Sequence, residues 1–309
     1  MNTSPRESWI PGILLEDMAS KEINMALEID RRSNLSISEF EKTYVSQSRP
    51  VIVTDASHHW PARGKWSFDF FERHFNEKVV RFDRKEWRMG DLIRQLRLDK
   101  ASAGEVRPYL KEVKFDEQIP ELTGDLAPLQ LARRSRLKSK LLPRAMRIDR
   151  GTVALFIGSE GSGFRKLHWD YSYLHVFISQ IVGDKEFILF PPGDTPYLYP
   201  NPASDNTSRI PDPFRVDTSE YPAFAHANPT RVRLKQGETF FLPAGWWHAT
   251  YIDGPNIAVA ESTLDHFNWR QRYRWYLNQY AQANVPWLKR QLLRAYLETV
   301  DALLRAIAK

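Results

Sequence analysis

The sequence predicts a mainly β protein, a sandwich or closed barrel with helices before and after it. Two observations carry this. Between Thr152 and Ser262, seven short β-rich runs alternate with Gly, Pro, Asp and Asn. Before about residue 150 helix caps stand at Ser36 and Ser67, and from Trp287 the apolar positions recur at three and four, the helical spacing. At 309 residues there is room for one large domain or two small ones.

The elements follow in order. Residues 1–35 hold apolar positions without a strong period and suggest an arm and a short helix. Ser36-Ile37-Ser38-Glu39 has the form of a capping box and predicts a helix over 37–47. Pro50–Thr54 is a β-branched run entered by proline, a strand. Ser67 can cap a helix holding Phe68, Phe71 and Phe75. Lys78–Phe82 suggests a strand and Met89–Leu96 a helix. The strands expected beyond Gly151 are 152–157, 174–182, 186–190, 231–234, 240–242, 248–252 and 257–261. Pro191–Ala227 is a long Pro- and Asp-rich insert, the kind of loop that often carries substrate contacts. A helix rich in Trp, Tyr and Arg is expected over 265–283. From Trp287, the residues Leu288, Leu292, Tyr296, Val300, Leu303 and Ile307 form an apolar stripe that needs a partner. The expected organisation is 1–150 as cover, 151–263 as the β core and 264–309 as a helical tail.

Composition narrows the function. With 42% hydrophobic residues, 10 Trp, 12 Tyr and 17 Phe, the chain can build a sizeable core. No apolar run of about 18 residues predicts a membrane span. Cysteine is absent, which excludes a disulfide framework and thiolate chemistry. The first residues lack a charged-then-apolar signal pattern, so the expected location is cytoplasmic. A net charge of +6 is mild and suggests at most an acidic or anionic partner. Eight basic residues lie between Ala132 and Arg150 against one acidic residue, Asp149. A docking patch is one reading of this segment and a solvated face the preferred one. It holds no aromatic residues, so it offers no stacking platform for single-stranded nucleic acid.

The chemistry centres on His168-Trp169-Asp170, Lys185 and His248. Two imidazoles and one carboxylate can hold non-haem Fe(II) on one face and leave the other open. On extended backbone, His168 and Asp170 point to the same side, and a second strand would bring His248 across. A bare His-x-Asp is common, so the context matters. Glycines at 158, 161 and 163 precede His168, an apolar run follows Asp170, Lys185 opens a strand that ends in Phe190-Pro191-Pro192, and Trp246-Trp247-His248 comes later. With these motifs the chain resembles the cupin-like JmjC family of Fe(II)- and 2-oxoglutarate-dependent oxygenases. The order Glu39-Phe40, Tyr44, Arg49-Pro50-Val51-Ile52-Val53, Trp60-Pro61-Ala62, Lys65-Trp66-Ser67-Phe68 also looks like the N-terminal part of that family. Pro108-Tyr109-Leu110-Lys111-Glu112 resembles a segment near the mouth of its site.

The resemblance implies a double-stranded β-helix (cupin jelly roll) with flanking N-terminal and C-terminal helices. It implies Fe(II), 2-oxoglutarate and O2, with His168, Asp170 and His248 as metal ligands. Lys185 becomes the cation for the far carboxylate of 2-oxoglutarate, with Arg165 as the alternative. The sequence departs from the family in two places. No hydroxyl stands just before His168 where relatives often carry Thr, leaving Ser162, Tyr173 or Ser179 to supply one. Ala260 sits where many relatives have Asn. Trp246 and Trp247 fit a barrel core.

The function expected from these residues is hydroxylation of a protein side chain or a small metabolite, with release of succinate and CO2. N-methyl demethylation by the same chemistry is the alternative. A non-redox metal-dependent cupin would have no use for Lys185, and a binding protein with a vestigial barrel would have no use for the intact ligand set. A homodimer through the C-terminal helices is expected, because similar oxygenases often pair this way and closed two-fold dimers are common.

Overall fold

A seven-stranded sheet faces a three-stranded one in the computed structural model, which describes residues 28–98 and 107–308. The strands are β1 Asp30–Arg32, β2 Val51–Val53, β3 Val79–Phe82, β4 Lys85–Arg88, β5 Leu110–Lys114, β6 Val153–Gly158 and β7 His175–Val182. They continue with β8 Lys185–Phe190, β9 Pro200–Asn201, β10 Ser204–Ser208, β11 Thr230–Leu234, β12 Thr239–Leu242, β13 Trp247–Tyr251 and β14 Asn256–Thr263. The large sheet runs β1-β2-β12-β7-β14-β6-β5, and the small one β11-β8-β13. This is the expected cupin-like jelly roll.

Side-chain alternation explains why the large sheet reads as nearly continuous apolar runs. Ile52, Ile178, Phe240 and Leu242 face inward onto Phe187, Leu189, Val232 and Leu234 of the small sheet. Their neighbours Val51, Val53, Phe177 and Phe241 face outward beneath the N-terminal cover, so both faces are buried. That cover uses α1 Ile37–Phe40, α2 Ala62–Lys65, α3 Phe68–Phe75, α4 Met89–Arg97 and α5 Phe115–Gln118. Ser36 accepts from the Glu39 N–H and Ser67 from the Phe70 N–H, so both predicted caps form. The first helix continues as one wider turn, Glu41–Val45.

The N-terminal expectation needs correction. Residues 1–27 lie outside the described residues, and Asp30–Arg32 is a strand rather than part of a helix. It pairs in parallel with β2. A three-residue charged run carries no periodicity that betrays it, and its partner strand selects it. Strands β1, β2 and β5 extend the large sheet beyond residues 151–263.

The basic segment uses its apolar residues as anchors. Leu137, Leu142 and Met146 pack with Trp269, Tyr273, Leu277, Leu297, Val300 and Leu304 of the C-terminal helices. Its cations Arg133, Arg134, Lys138, Lys140, Arg144 and Arg150 are exposed. The helices are α6 Trp269–Gln282 and α7 Trp287–Ala308. The stripe expected on α7 is divided. Val300 is buried against the chain's own α6, with Leu297 and Leu304 beside it, while Trp287, Leu288, Leu292, Tyr296, Leu303 and Ile307 are exposed. Among the described residues no helix is long and apolar enough to cross a membrane.

Candidate metal and co-substrate site

One cavity between the sheets collects the predicted chemistry. Its walls are Phe156, Phe164, Val176, Ile178, Phe187 and Ala260, and its polar groups come from Tyr109, Glu112, His168, Asp170, Lys185, His248 and Thr250.

The two histidines are brought together by the backbone. His168 and His248 form an antiparallel bridge, with His168 N–H to His248 O at 3.0 Å and His248 N–H to His168 O at 2.7 Å. On its other side His168 bridges Thr207 of β10, so the insert supplies a strand that holds the ligand segment. Trp169 N–H donates to Asn206 O at 3.1 Å and Ser208 N–H to Leu167 O at 2.9 Å. Asp170 lies two residues on, still on extended backbone. One ligand atom from each of His168, Asp170 and His248 lies within 4.8 Å of the others.

Each imidazole is oriented through its far nitrogen. Nδ1 of His168 lies 2.8 Å from Lys166 O, and Nδ1 of His248 lies 3.2 Å from Trp246 O. A carbonyl can only accept, so Nδ1 carries the proton and Nε2 keeps its lone pair. Burial, and next the neighbouring His248, hold His168 well below its ordinary pKa, which keeps it neutral. Burial pushes Asp170 up. Two imidazoles beside a desolvated carboxylate form a donor set that a divalent cation would relieve, and imidazole with carboxylate suits Fe(II).

The opposite end of the cavity holds Lys185, only 3% exposed. Its Nζ donates to the Tyr109 hydroxyl at 3.2 Å, and among the described residues it has no carboxylate partner. Burial lowers its pKa to about 7. Thr250 accepts from the Phe164 N–H at 2.9 Å, leaving its own hydroxyl proton to donate. Gly163 makes this approach possible, since a Cβ there would stand 2.9 Å from Thr250 O and its φ is +133°.

Several expected residues lie elsewhere. Arg165 pairs with Asp212 at 3.0 Å and stacks on Tyr251, so it does not line the cavity. Tyr173 lies against Trp169, and the hydroxyls of Ser162 and Ser179 are engaged with Ser159 and Thr239. The hydroxyls that do line the cavity are those of Tyr109 and Thr250. Thr250 was findable, because it stands two residues after His248 on one strand and therefore shares its face. Trp246 and Trp247 are both core, with indole N–H bonds to Ser48 O and Thr195 Oγ1.

Glu112 reaches the cavity by a different device. It sits at φ +57° in a register shift of β5 against β6. Bulges of this kind re-aim side chains beside active sites.

Comparison with known proteins agrees with this geometry. A profile described as the cupin-like domain matches residues 37–261. The chain belongs to the cupin-like family. JmjC enzymes of this family use Fe(II), 2-oxoglutarate and O2, and they are dioxygenases. The chain is 26% identical over 250 residues to Lysine-specific demethylase JMJ21 of Arabidopsis thaliana, covering 78% of this chain and 26% of that protein. It is 25% identical over 240 residues to Jumonji C domain-containing protein 5 of Drosophila melanogaster, covering 73% and 57%. It is 28% identical over 240 residues to Lysine-specific demethylase 8 of Xenopus tropicalis, covering 74% and 50%. The chain thus spans between 26% and 57% of the length of these cupin-like relatives.

Proposed function

We propose that this cupin-like protein is a 2-oxoglutarate-dependent hydroxylase of a protein side chain, with His168, Asp170 and His248 as the ligands of Fe(II). The observation that carries this reading is the single cavity with the ligand set at one end and a buried, anion-free Lys185 at the other. When bound, iron with 2-oxoglutarate supplies the oxidation of an unactivated C–H bond by O2, with release of succinate and CO2. The chain's own residues do the rest. Lys185, Tyr109 and Thr250 hold the far carboxylate, and a charge-assisted bond from Lys185 is the strongest of the three. Phe156, Phe164, Val176, Ile178 and Phe187 exclude water from the reacting centre. Ala260 adds no polar contact on its wall. A non-redox cupin would leave Lys185 buried without use.

The acceptor is read from the mouth. A ferrous ion, Asp170, the 2-oxoglutarate dianion and Lys185 cancel in charge, and Glu112 then adds a carboxylate to the cavity wall, with the Lys111 ammonium nearby over Phe164 and paired with Asp83. A cationic side chain, lysine or arginine, suits the Glu112 carboxylate, whereas the mildly basic exterior suits an acidic partner protein. The names of the relatives favour N-methyl demethylation as the second reading. The two differ in product: the first leaves one added oxygen on the peptide, the second removes a methyl group and releases formaldehyde. Succinate release against lysine, arginine, methyl-lysine, methyl-arginine and metabolite panels, with mass spectrometry of the acceptor, tests both. No succinate at all from iron-loaded protein, with or without any panel member, would remove the oxygenase reading. We further propose a cytoplasmic place of work, and a homodimer through the exposed face of α7.

A further inference from the structure

Arg272, in the second turn of α6, is fully buried, and among the described residues it has no carboxylate partner. Its Nη1 donates to Ser172 O at 3.0 Å and its Nη2 to Met146 O at 2.9 Å, while Nε finds no acceptor among the described residues. The guanidinium lies over the Tyr276 ring at 5.2 Å. A buried arginine without an anion is an expensive way to tie two loops together, because desolvation of the charge is not offset by a counter-charge. What it ties is unusual. Ser172 and Tyr173, two and three residues after Asp170, both stand in the left-handed region, at φ +70° and +52°. Neither is glycine, so the conformation persists only because its surroundings impose it. The second half of the turn is held by Asn268, also fully buried, whose Nδ2 donates to Tyr173 O at 2.9 Å. The Oδ1 of Asn268 accepts from the Asp265 N–H at 2.9 Å, which fixes the amide's orientation.

We infer that Arg272 and Asn268 are positioning residues for Asp170, clamping the left-handed turn 172–173 so that the carboxylate stays aimed between His168 and His248. This rests on the reading of those three residues as the metal ligands. His168 and His248 are set by their own strand pairing, but Asp170 leaves that pairing and enters a turn with no ladder to hold it. Relaxation of Ser172 and Tyr173 to ordinary right-handed geometry would swing the peptide after Asp170 and carry the carboxylate with it. The C-terminal helices and the basic segment therefore reach the metal site through two side chains, with Met146 as the fixed point at the far side of Arg272.

The test is Mn(II) affinity of metal-free full-length protein, by calorimetry, together with the visible spectrum of the Co(II) form. The variants are Arg272→Met, Arg272→Lys and Asn268→Asp. The last keeps the acceptor for Asp265 and removes the donor to Tyr173. Leu297→Ala is the control, since it loosens the same helix interface without touching the turn. The expected result is a loss of about 10–100-fold in Mn(II) affinity for Arg272→Met and Asn268→Asp, the range for groups that orient metal ligands. Arg272→Lys recovers part of it, and the Co(II) spectrum changes in the weak variants. Leu297→Ala lowers the melting temperature and leaves the affinity within twofold of wild type. Wild-type affinity in folded Arg272→Met and Asn268→Asp overturns the inference and leaves the ligand assignment standing. Affinity that tracks melting temperature alike in Leu297→Ala and the clamp variants also overturns it. If Arg272→Met does not fold, Asn268→Asp decides alone. Wild-type protein that takes up no Mn(II) overturns the inference and the ligand assignment together.

Discussion

The two ends of the cavity are built by opposite means. At the metal end both imidazoles are held in advance: His168 and His248 are mutual strand partners and their Nδ1 atoms are tied to carbonyls. At the anchor end a lysine waits with one phenol as its polar partner, and burial has drawn its pKa to about 7. The imidazoles are placed by backbone pairing alone, whereas the anchor end reaches its charged state most readily when a carboxylate arrives.

The largest effect should come from breaking the metal end. His248→Ala is expected to abolish stoichiometric Fe(II) or Mn(II) uptake by a protein that still folds, read by metal analysis after gel filtration. Full retention of metal would remove His248 from the set. At the other end, Lys185→Ala should weaken 2-oxoglutarate binding by about 1.5–3 kcal/mol and leave metal uptake unchanged. An unaltered calorimetric affinity would move the anchor elsewhere in the cavity. Tyr109→Phe removes one hydrogen bond from an uncharged donor to the 2-oxoglutarate carboxylate, so its cost should be about 1.5 kcal/mol, the low end of the range for bonds to charged groups, in the same titration.

The difference between the ends also predicts a pH signature. Lys185 has a pKa of about 7 in the fold and an ordinary value of 10.5 in the unfolded chain. Between those values the unfolded chain binds the extra proton, so the lysine opposes folding most below pH 7, and its penalty fades as pH rises toward 10.5. Binding of 2-oxoglutarate reverses the preference, because the carboxylate favours the ammonium. Above pH 7 binding should therefore take up a proton, and affinity should fall by up to about tenfold per pH unit. Titrations in buffers of different ionisation enthalpy measure the proton count directly. A count of zero at pH 8 would mean that Lys185 is already charged in the free protein.

The smallest effect on the cavity is expected from the outer helix. Leu288→Arg/Leu292→Arg on exposed α7 should convert a homodimer into monomers in light scattering while 2-oxoglutarate affinity stays unchanged. Wild-type protein that is monomeric at micromolar concentration would end the dimer proposal. Val300 is unsuitable for this purpose, since it belongs to the chain's own core.

Legibility of the sequence follows the same division. The strand runs, both serine caps and the pairing of His168 with Asp170 follow from local spacing, whereas His248, eighty residues on, joins them only through its motif context, and the fold brings the three within 4.8 Å. Lys185 is legible only through resemblance, since Gly183-Asp184-Lys185 reads equally well as turn chemistry. The segment 108–112 is legible by resemblance as lying near the mouth, and Tyr109 and Glu112 do line the cavity, but the direction of Glu112 depends on a bulge that alternation does not encode. Arg272 escapes because an arginine in a Trp- and Tyr-rich helix looks like surface, and only tertiary packing buries it. The α7 stripe misleads for a related reason: the helix has two apolar faces, and spacing alone does not say which one meets the barrel.

The mutual pairing of His168 and His248 has one more consequence. Strand neighbours alternate in direction, so a slip of one residue in their alignment would turn one imidazole out of the cavity and break the hydrogen bonds between the pair. A chain misaligned here would offer at most half of the nitrogen donors. With His168 and His248 as the proposed ligands, uptake of the ion would act as an inspection of strand alignment, favouring correctly threaded molecules by mass action over those that closed one residue out of step.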